Sequence, residues 1–300
     1  MTLARPHILI LSLPYFIMNP TDPATGPTPF DRLHLNGQPV AYRVEGAPTA
    51  EGNDQVLLAS DTDLSARAPW AAEGFAVVPG LAAPWQQQLQ AGLATLLREA
   101  LGAAGRPVEA DFDVTQYHRL IGDDPGLHLA VIAQTKAYDL ARLPIPPALL
   151  EELVSAACGQ PVRAHNPNVH EAVFHLRIVR PYLSDQNPLH RDAWLPRYRN
   201  ALNIYLPVAG STEQSSLALV PGSHHWPESA VERTAEGAIY HGVTYTVPGV
   251  LRPARPLHLI RPNPGPDEVL VFSPYLLHGA AANLNADATR VSLEMRFWTI

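Results

Sequence analysis

The chain is short of the residues that build covalent and strongly cationic scaffolds. Its 300 residues include one cysteine, Cys158. No disulfide within the chain and no cysteine-based zinc site can form. Cys158 falls on the apolar side of an expected helix and reads as a buried, inert thiol. Lysine is equally scarce. Of the 21 Lys and Arg residues, Lys136 is the single lysine, and the rest are arginine. The formal net charge is −7 and there is no basic run, which argues against nucleic acid as a main partner, since phosphate binding needs clustered cations. Long apolar runs are also missing. His7 to Met18 is short for a bilayer span and is broken by Pro14. It has the outline of a signal peptide, but no small-x-small cleavage site follows it. It reads as a first strand or an irregular leader, with Met18 as an alternative start to Met1. The expectation is a cytoplasmic protein without a membrane partner, a monomer or homodimer. There is no internal repeat.

What is present can build a sizeable core, since 46% of the residues are hydrophobic. Residues 19–30, rich in Pro, Thr and Gly, read as an irregular arm. Residues 30–45 read as a β-hairpin. Leu33 and Leu35 alternate with polar neighbours, Asn36-Gly37 supplies the tight turn, and Val40, Tyr42 and Val44 alternate on the return. Residues 74–80 form a short strand ended by Pro-Gly. Pro84 opens a helix whose Leu89, Leu93, Leu96, Leu97, Ala100 and Leu101 share one stripe, with Gly102 near its end. Residues 146–157 repeat this device and stop at Gly159. From residue 171 the character changes to short strands, most clearly 172–179, 200–208, 215–220, 268–272 and 290–298. That spacing suggests a sandwich or barrel. The expected class is mainly β with flanking helices (α+β). Residues 1–70 form an arm and hairpin packed on the core, and residues 71–300 form one domain.

The stretch around His190-Arg191-Asp192 carries the first candidate chemistry. On a strand, residues i and i+2 point to one face, so an imidazole nitrogen and a carboxylate oxygen converge there. That supplies two ligands of a metal site if a third arrives from elsewhere. His278, at the end of the apolar strand 268–272 and its turn, and followed by Gly279, can point into a barrel mouth. Arg290 to Trp298 alternates: Val291, Leu293, Met295 and Phe297 face one way, and Arg290, Ser292, Glu294 and Arg296 the other. Two readings stand. The polar face is solvated, as on many antiparallel strands, or it lines a barrel interior where an Arg fork and a Ser hydroxyl bind a carboxylate. His224 and His225, beside the Pro221-Gly222-Ser223 turn, read as structural.

The order His190-x-Asp192, His278, Arg290-x-Ser292 resembles the iron(II)/2-oxoglutarate dioxygenases, and more narrowly the phytanoyl-CoA dioxygenase-like family. The segments 74–80, Arg180-Pro181, 217–224, 267–272, and His278-Gly279 with Asn283 are similar to that family's pattern. The resemblance spans roughly residues 72–298. It implies a double-stranded β-helix, the jelly-roll or cupin-like barrel. It implies that His190, Asp192 and His278 bind Fe(II) as a facial triad, leaving positions for 2-oxoglutarate and O2. Arg290 with Ser292 would hold the far carboxylate of 2-oxoglutarate, Arg296 would be the fallback clamp, and Arg177 a partner for the other carboxylate. The interval of 12 residues from His278 to Arg290 is about one residue longer than the family pattern. The implied reaction is hydroxylation of an unactivated C–H of a small molecule with release of succinate and CO2. Asp192 stands where related halogenases carry a small residue, which implies oxidation rather than halogenation. Arg191, Trp194 and Arg197 are candidate substrate contacts. The alternatives are desaturation, cyclisation or epimerisation with the same cofactors, a cupin-type enzyme without 2-oxoglutarate, and a non-catalytic jelly-roll binding protein.

Overall fold

A computed structural model describes residues 33–40, 42–49, 54–58, 63–183 and 185–300. The expected leader at 7–18 and arm at 19–30 lie outside these residues. Among the described residues, no helix is long and apolar enough to cross a membrane.

The architecture is a jelly-roll with one continuous wall and one fragmented wall. The continuous wall is a six-stranded sheet. Its order is Phe75–Pro79, Glu268–Phe272, Ala201–Ala209, Arg290–Thr299, Val162–Arg163, and His175–Val179 also pairs with the 290–299 strand. All its ladders are antiparallel. The long 290–299 strand is its centre, pairing with 201–209 on one edge and 175–179 on the other.

Period-two alternation fixes which face of this strand is buried in apolar surroundings. Val291, Leu293, Met295 and Phe297 are all at most 2% exposed. Leu293, Met295 and Phe297 share a core cluster with Leu89, Leu93 and Leu96 of the helix Ala83–Ala103 and Leu150 and Val154 of the helix Pro147–Cys158. Val291 packs with Leu97 and Leu101 of the first of these helices. Burying each such side chain contributes roughly 1.5–3 kcal/mol, which is why the two striped helices cover the outer face of this sheet. The opposite face of the strand is thereby turned inward. Arg290 is 3% exposed and Ser292 is fully buried. This face is therefore turned into the barrel rather than solvated.

The helices start and stop as their sequence signals direct, with one adjustment. Pro84 and Pro147 occupy first turns, where a missing N–H costs nothing. Gly159 closes the second helix in the left-handed region at φ 73°. Gly102 does not end the first helix, which runs on to Ala103. Two further helices, Tyr117–Ile121 and Pro125–Thr135, lie between them. The second opens on an Asp124 cap that accepts from the Leu127 N–H at 2.9 Å.

The facing wall is built from short pieces. Leu33–Leu35 turns back through Asn36 and Gly37, both at positive φ, and pairs with Gln38–Pro39 as a hairpin. The return strand is shorter than expected. Val44–Glu45 leaves to pair with Ala238–Tyr240, and the Tyr42 hydroxyl accepts from the Leu189 N–H at 3.0 Å. Leu33–Leu35 also runs parallel to Leu257–Leu259. Residues 215–220 do not form the expected strand. The N–H groups of Ser215 and Ser216 turn back onto the Thr212 carbonyl, and Leu219 alone forms bridges, to Ile260 and His278.

Candidate metal and cosubstrate site

The fragmented wall delivers three metal-ligand side chains to one point. His190 and His278 form an isolated antiparallel bridge, each N–H donating to the other's carbonyl at 2.9 Å. Their rings lie 4.3 Å apart. The close pass explains Gly279, which sits at φ 111° with an ideal Cβ only 2.3 Å from the Pro188 carbonyl. Any side chain there would push the two ligand segments apart. Arg191 keeps an extended backbone, so Asp192 stays on the same face as His190 even though it opens a 3₁₀ turn, Asp192–Trp194. Asp192 Oδ1 lies 3.4 Å from His190 Nε2. His190, Asp192 and His278 are buried, and their ligand atoms all fall within 4.8 Å of one another.

The surroundings pre-orient each ligand. His190 Nδ1 donates to the Pro188 carbonyl at 2.7 Å, and His278 Nδ1 donates to the Leu276 carbonyl at 3.0 Å. Each bond fixes a tautomer whose Nε2 lone pair faces the cavity. Burial, and then the charge of the neighbouring His190 ring, lowers His278 to about 4, so its imidazole is neutral near pH 7. Asp192 is the anionic member. Burial pushes its carboxyl up, but the Arg296 guanidinium and the two histidines outweigh this and hold it well below the usual carboxylate range. Its Oδ2 accepts from Asn203 Nδ2 at 3.0 Å and from Arg296 Nε at 2.9 Å, and Arg296 Nη2 lies 2.8 Å from the same oxygen as an ion pair. With Oδ2 so engaged, Oδ1 is left for a metal.

These ligands line a cleft whose other wall is the inward face of the six-stranded sheet. Arg290, on that wall, has no hydrogen-bond partner among the described residues at Nε or Nη1, and Ser292 Oγ has none there either, although all three atoms are buried. A buried guanidinium left this way costs several kcal/mol unless a ligand completes it. The Tyr205 ring lies beneath Arg290, 5.6 Å away. Arg261 stands near enough, in a buried position, for Arg290 to help push its own ionisation down to about 9. A buried cation without a partner at one end of a cleft calls for an anion there. A bulge beside Arg290 absorbs an extra residue of the 201–209 strand, where the register with 290–299 shifts between Val291 and Ser292. The loop from His278 to Arg290 is tied down by Asn283, whose Nδ2 donates to the Val179 and Ala288 carbonyls at 2.8 Å.

The other sequence candidates divide. Arg296 lines the cleft, but its fork is committed to Asp192 and its guanidinium stacks on Tyr198 at 4.2 Å. Arg177 lines the cleft and donates from Nε to Glu294 Oε2 at 2.8 Å. Arg191 and Trp194 are not brought to the cleft. Both are buried and bond the Glu228 carboxylate, Arg191 from Nη1 at 2.9 Å and Trp194 from Nε1 at 3.1 Å. Arg197 is exposed, with its guanidinium over the Tyr198 ring. His224 bonds the Ala71 carbonyl at 2.8 Å through Nε2, a structural contact. Arg180 forms a buried two-point pair with Asp185 at 2.8 and 2.9 Å, anchoring the segment that leads to His190. Asn203 was not among the sequence candidates. Its signal lies in the two-residue period of 201–209, but placing it on Asp192 needs the register that sets Asn203 opposite Arg296.

A family model described as phytanoyl-CoA dioxygenase matches residues 70–292. The chain belongs to the phytanoyl-CoA dioxygenase family. It is an enzyme of the iron(II)/2-oxoglutarate dioxygenase class, with iron, 2-oxoglutarate and O2 as its cofactor and co-reactants. A search of curated protein sequences returns no match. Among solved structures, EctD from S. alaskensis with 2-oxoglutarate and 5-hydroxyectoine is 16% identical, with 86% of this chain and 84% of that chain covered and a TM-score of 0.44. AviO1 from Streptomyces viridochromogenes Tue57 is 19% identical, with 83% and 96% covered and a TM-score of 0.40. The epimerase SnoN from nogalamycin biosynthesis is 16% identical, with 79% and 81% covered and a TM-score of 0.39. The residues of this phytanoyl-CoA dioxygenase family member fit both groups of the class. Two imidazoles and one carboxylate with an open side suit non-haem iron, and the unpartnered Arg290 and Ser292 suit a carboxylate.

Proposed function

We propose that this enzyme hydroxylates an unactivated C–H bond of a small molecule while converting 2-oxoglutarate to succinate and CO2. His190, Asp192 and His278 hold iron(II), and Arg290 with Ser292 holds the far carboxylate of 2-oxoglutarate. The observation that carries this reading is the pairing, in one cleft, of three converging ligand atoms with a buried, unpartnered arginine and serine. Bound iron supplies O2 activation coupled to decarboxylation of the cosubstrate. The chain's own part is to orient and to exclude water. Arg290 fixes the cosubstrate at its far end, and Arg296 and Asn203 keep one oxygen of Asp192 aimed at the metal. The buried walls keep the reacting C–H in a dry, fixed position. Asp192 occupies a ligand position, so hydroxylation is favoured over halogenation.

Purified protein given Fe(II), ascorbate and 2-oxoglutarate is expected to form succinate slowly even without substrate. His190→Ala and Asp192→Ala should abolish this. Unchanged succinate formation in either variant would refute the assignment of the ligands.

A further inference from the structure

The cleft contains a second polar pair, apart from the groups assigned above to iron and to the far carboxylate of 2-oxoglutarate. Arg177 and Glu294 face each other across two neighbouring strands, joined by one contact from Arg177 Nε to Glu294 Oε2 at 2.8 Å. Both side chains line the cleft, and both keep access to it, with side-chain exposures of 30% and 20%. Among the described residues, no hydrogen bond uses either terminal nitrogen of Arg177 or Oε1 of Glu294. The pair therefore presents two N–H-bearing nitrogens and one carboxylate oxygen side by side into the cleft. Its place is informative. Arg177 lies opposite Ser292 in register, and Glu294 lies on the inward face between Ser292 and Arg296. The pair thus sits between the cosubstrate clamp and the arginine that holds Asp192.

The charge balance points the same way. Of the acidic groups lining the cleft, Asp192 is matched by Arg296, Glu294 by Arg177, and Asp185 by Arg180. Arg290 is left as an unmatched positive charge. Iron(II) and the 2-oxoglutarate dianion cancel each other, so the loaded cleft keeps an excess positive charge. A partly open ion pair with one contact contributes little stability of its own, whereas an arginine with a free edge binds carboxylates well.

We propose that Arg177 and Glu294 recognise the substrate, and that the substrate is a small acid bearing a hydroxyl or ammonium group next to its carboxylate. The carboxylate takes the free edge of Arg177, and the neighbouring O–H or N–H donates to Glu294. This rests on the reading of the cleft as an iron and 2-oxoglutarate site, so the test separates the two. Wild-type protein, Arg177→Gln and Glu294→Gln are loaded anaerobically with Fe(II) and 2-oxoglutarate. Each is titrated calorimetrically with 2-hydroxyhexanoate, norleucine, hexanoate and hexylamine, and with the shorter and longer members of each series. Succinate release is measured separately in air. The expected result is saturable binding of the hydroxy or amino acids to wild type, weaker binding of hexanoate, and none of hexylamine. Arg177→Gln should weaken acid binding by about tenfold or more, the loss of a charge-assisted contact, and should weaken 2-oxoglutarate binding by less. Glu294→Gln, which preserves shape, should remove the preference for hydroxy and amino acids over the plain acid. An equal or larger loss on 2-oxoglutarate in Arg177→Gln would make Arg177 a cosubstrate ligand and overturn the proposal. So would acid binding indifferent to Arg177, or no acid binding in a protein that forms succinate. Arg177-dependent acid binding without succinate from any compound would leave this proposal standing and overturn the reaction assigned above.

Discussion

The two ends of the strand Arg290–Thr299 carry inward-facing arginines in opposite states. Arg296 is engaged by the protein itself: Nε donates to Asp192 Oδ2, Nη2 lies 2.8 Å from the same oxygen, and the guanidinium lies over the Tyr198 ring. Arg290 is buried with two of its nitrogens unpartnered. Sequence spacing alone treats them as equivalent, since both lie on the same face of one strand. The difference shows that a buried arginine's role is set by whether the protein itself supplies its anion. In the proposed site, Arg296 orients the candidate ligand Asp192, and Arg290 takes an anion from outside.

The largest expected effect follows from the open end. Arg290→Ala should raise the half-saturating 2-oxoglutarate concentration by about 100-fold, the loss of two charge-assisted hydrogen bonds. Succinate formation against 2-oxoglutarate concentration measures it. If Arg296→Ala produced that shift and Arg290→Ala did not, the two ends would have to exchange roles. A smaller effect is expected at Arg296, which the protein itself engages. Arg296→Gln should weaken iron binding by ~10–100-fold, as the loss of an outer contact to a ligating carboxylate does, while changing 2-oxoglutarate affinity less. A competition titration with a chelator reads this directly.

The smallest effect concerns the anchor behind the site. His128 is buried and lowered from 6.5 to about 4 by burial, against the pull of Asp185. Its Nδ1 bonds the Tyr117 hydroxyl at 2.9 Å, and its Nε2 lies 3.3 Å from Asp185. In the unfolded chain this histidine takes up a proton as pH falls through 6.5, whereas in the folded chain it does so only near 4. Protonation thus favours the unfolded state in that window. The metal-free protein should lose thermal stability as pH drops from 6.5 towards 4, and His128→Gln should flatten part of the slope. An equal slope in the variant would remove His128 from the explanation.

The two walls also differ in how much of them the sequence discloses. The continuous wall was legible because it obeys local periods. The stripes of the 83–103 and 147–158 helices and the alternation of 290–299 each state a buried face on their own. The fragmented wall was less so. Segment 215–220 is apolar enough for a strand, yet two serine amides close a turn, and only Leu219 bridges. The candidate ligands in this wall could be picked out because the local His190-x-Asp192 spacing is joined, in a familiar order, by residues far along the chain. Their outer contacts could not be picked out. Asn203 on Asp192 and Glu294 on Arg177 depend on strand register, and register is a tertiary fact. The same limit explains Arg191 and Trp194. Their nearness to His190 along the chain suggested the cleft, but Glu228, 37 residues beyond Arg191, draws both into a buried cluster.

The most direct test of the central claim is an anaerobic titration of the protein with Fe(II) in the presence of 2-oxoglutarate, followed by the visible charge-transfer absorption of the iron–cosubstrate chelate. The band should saturate at equal amounts of iron and protein, vanish in His190→Ala, and in Arg290→Ala reappear only at much higher 2-oxoglutarate. A band of wild-type strength and stoichiometry in His190→Ala would show that His190, Asp192 and His278 are not the iron site.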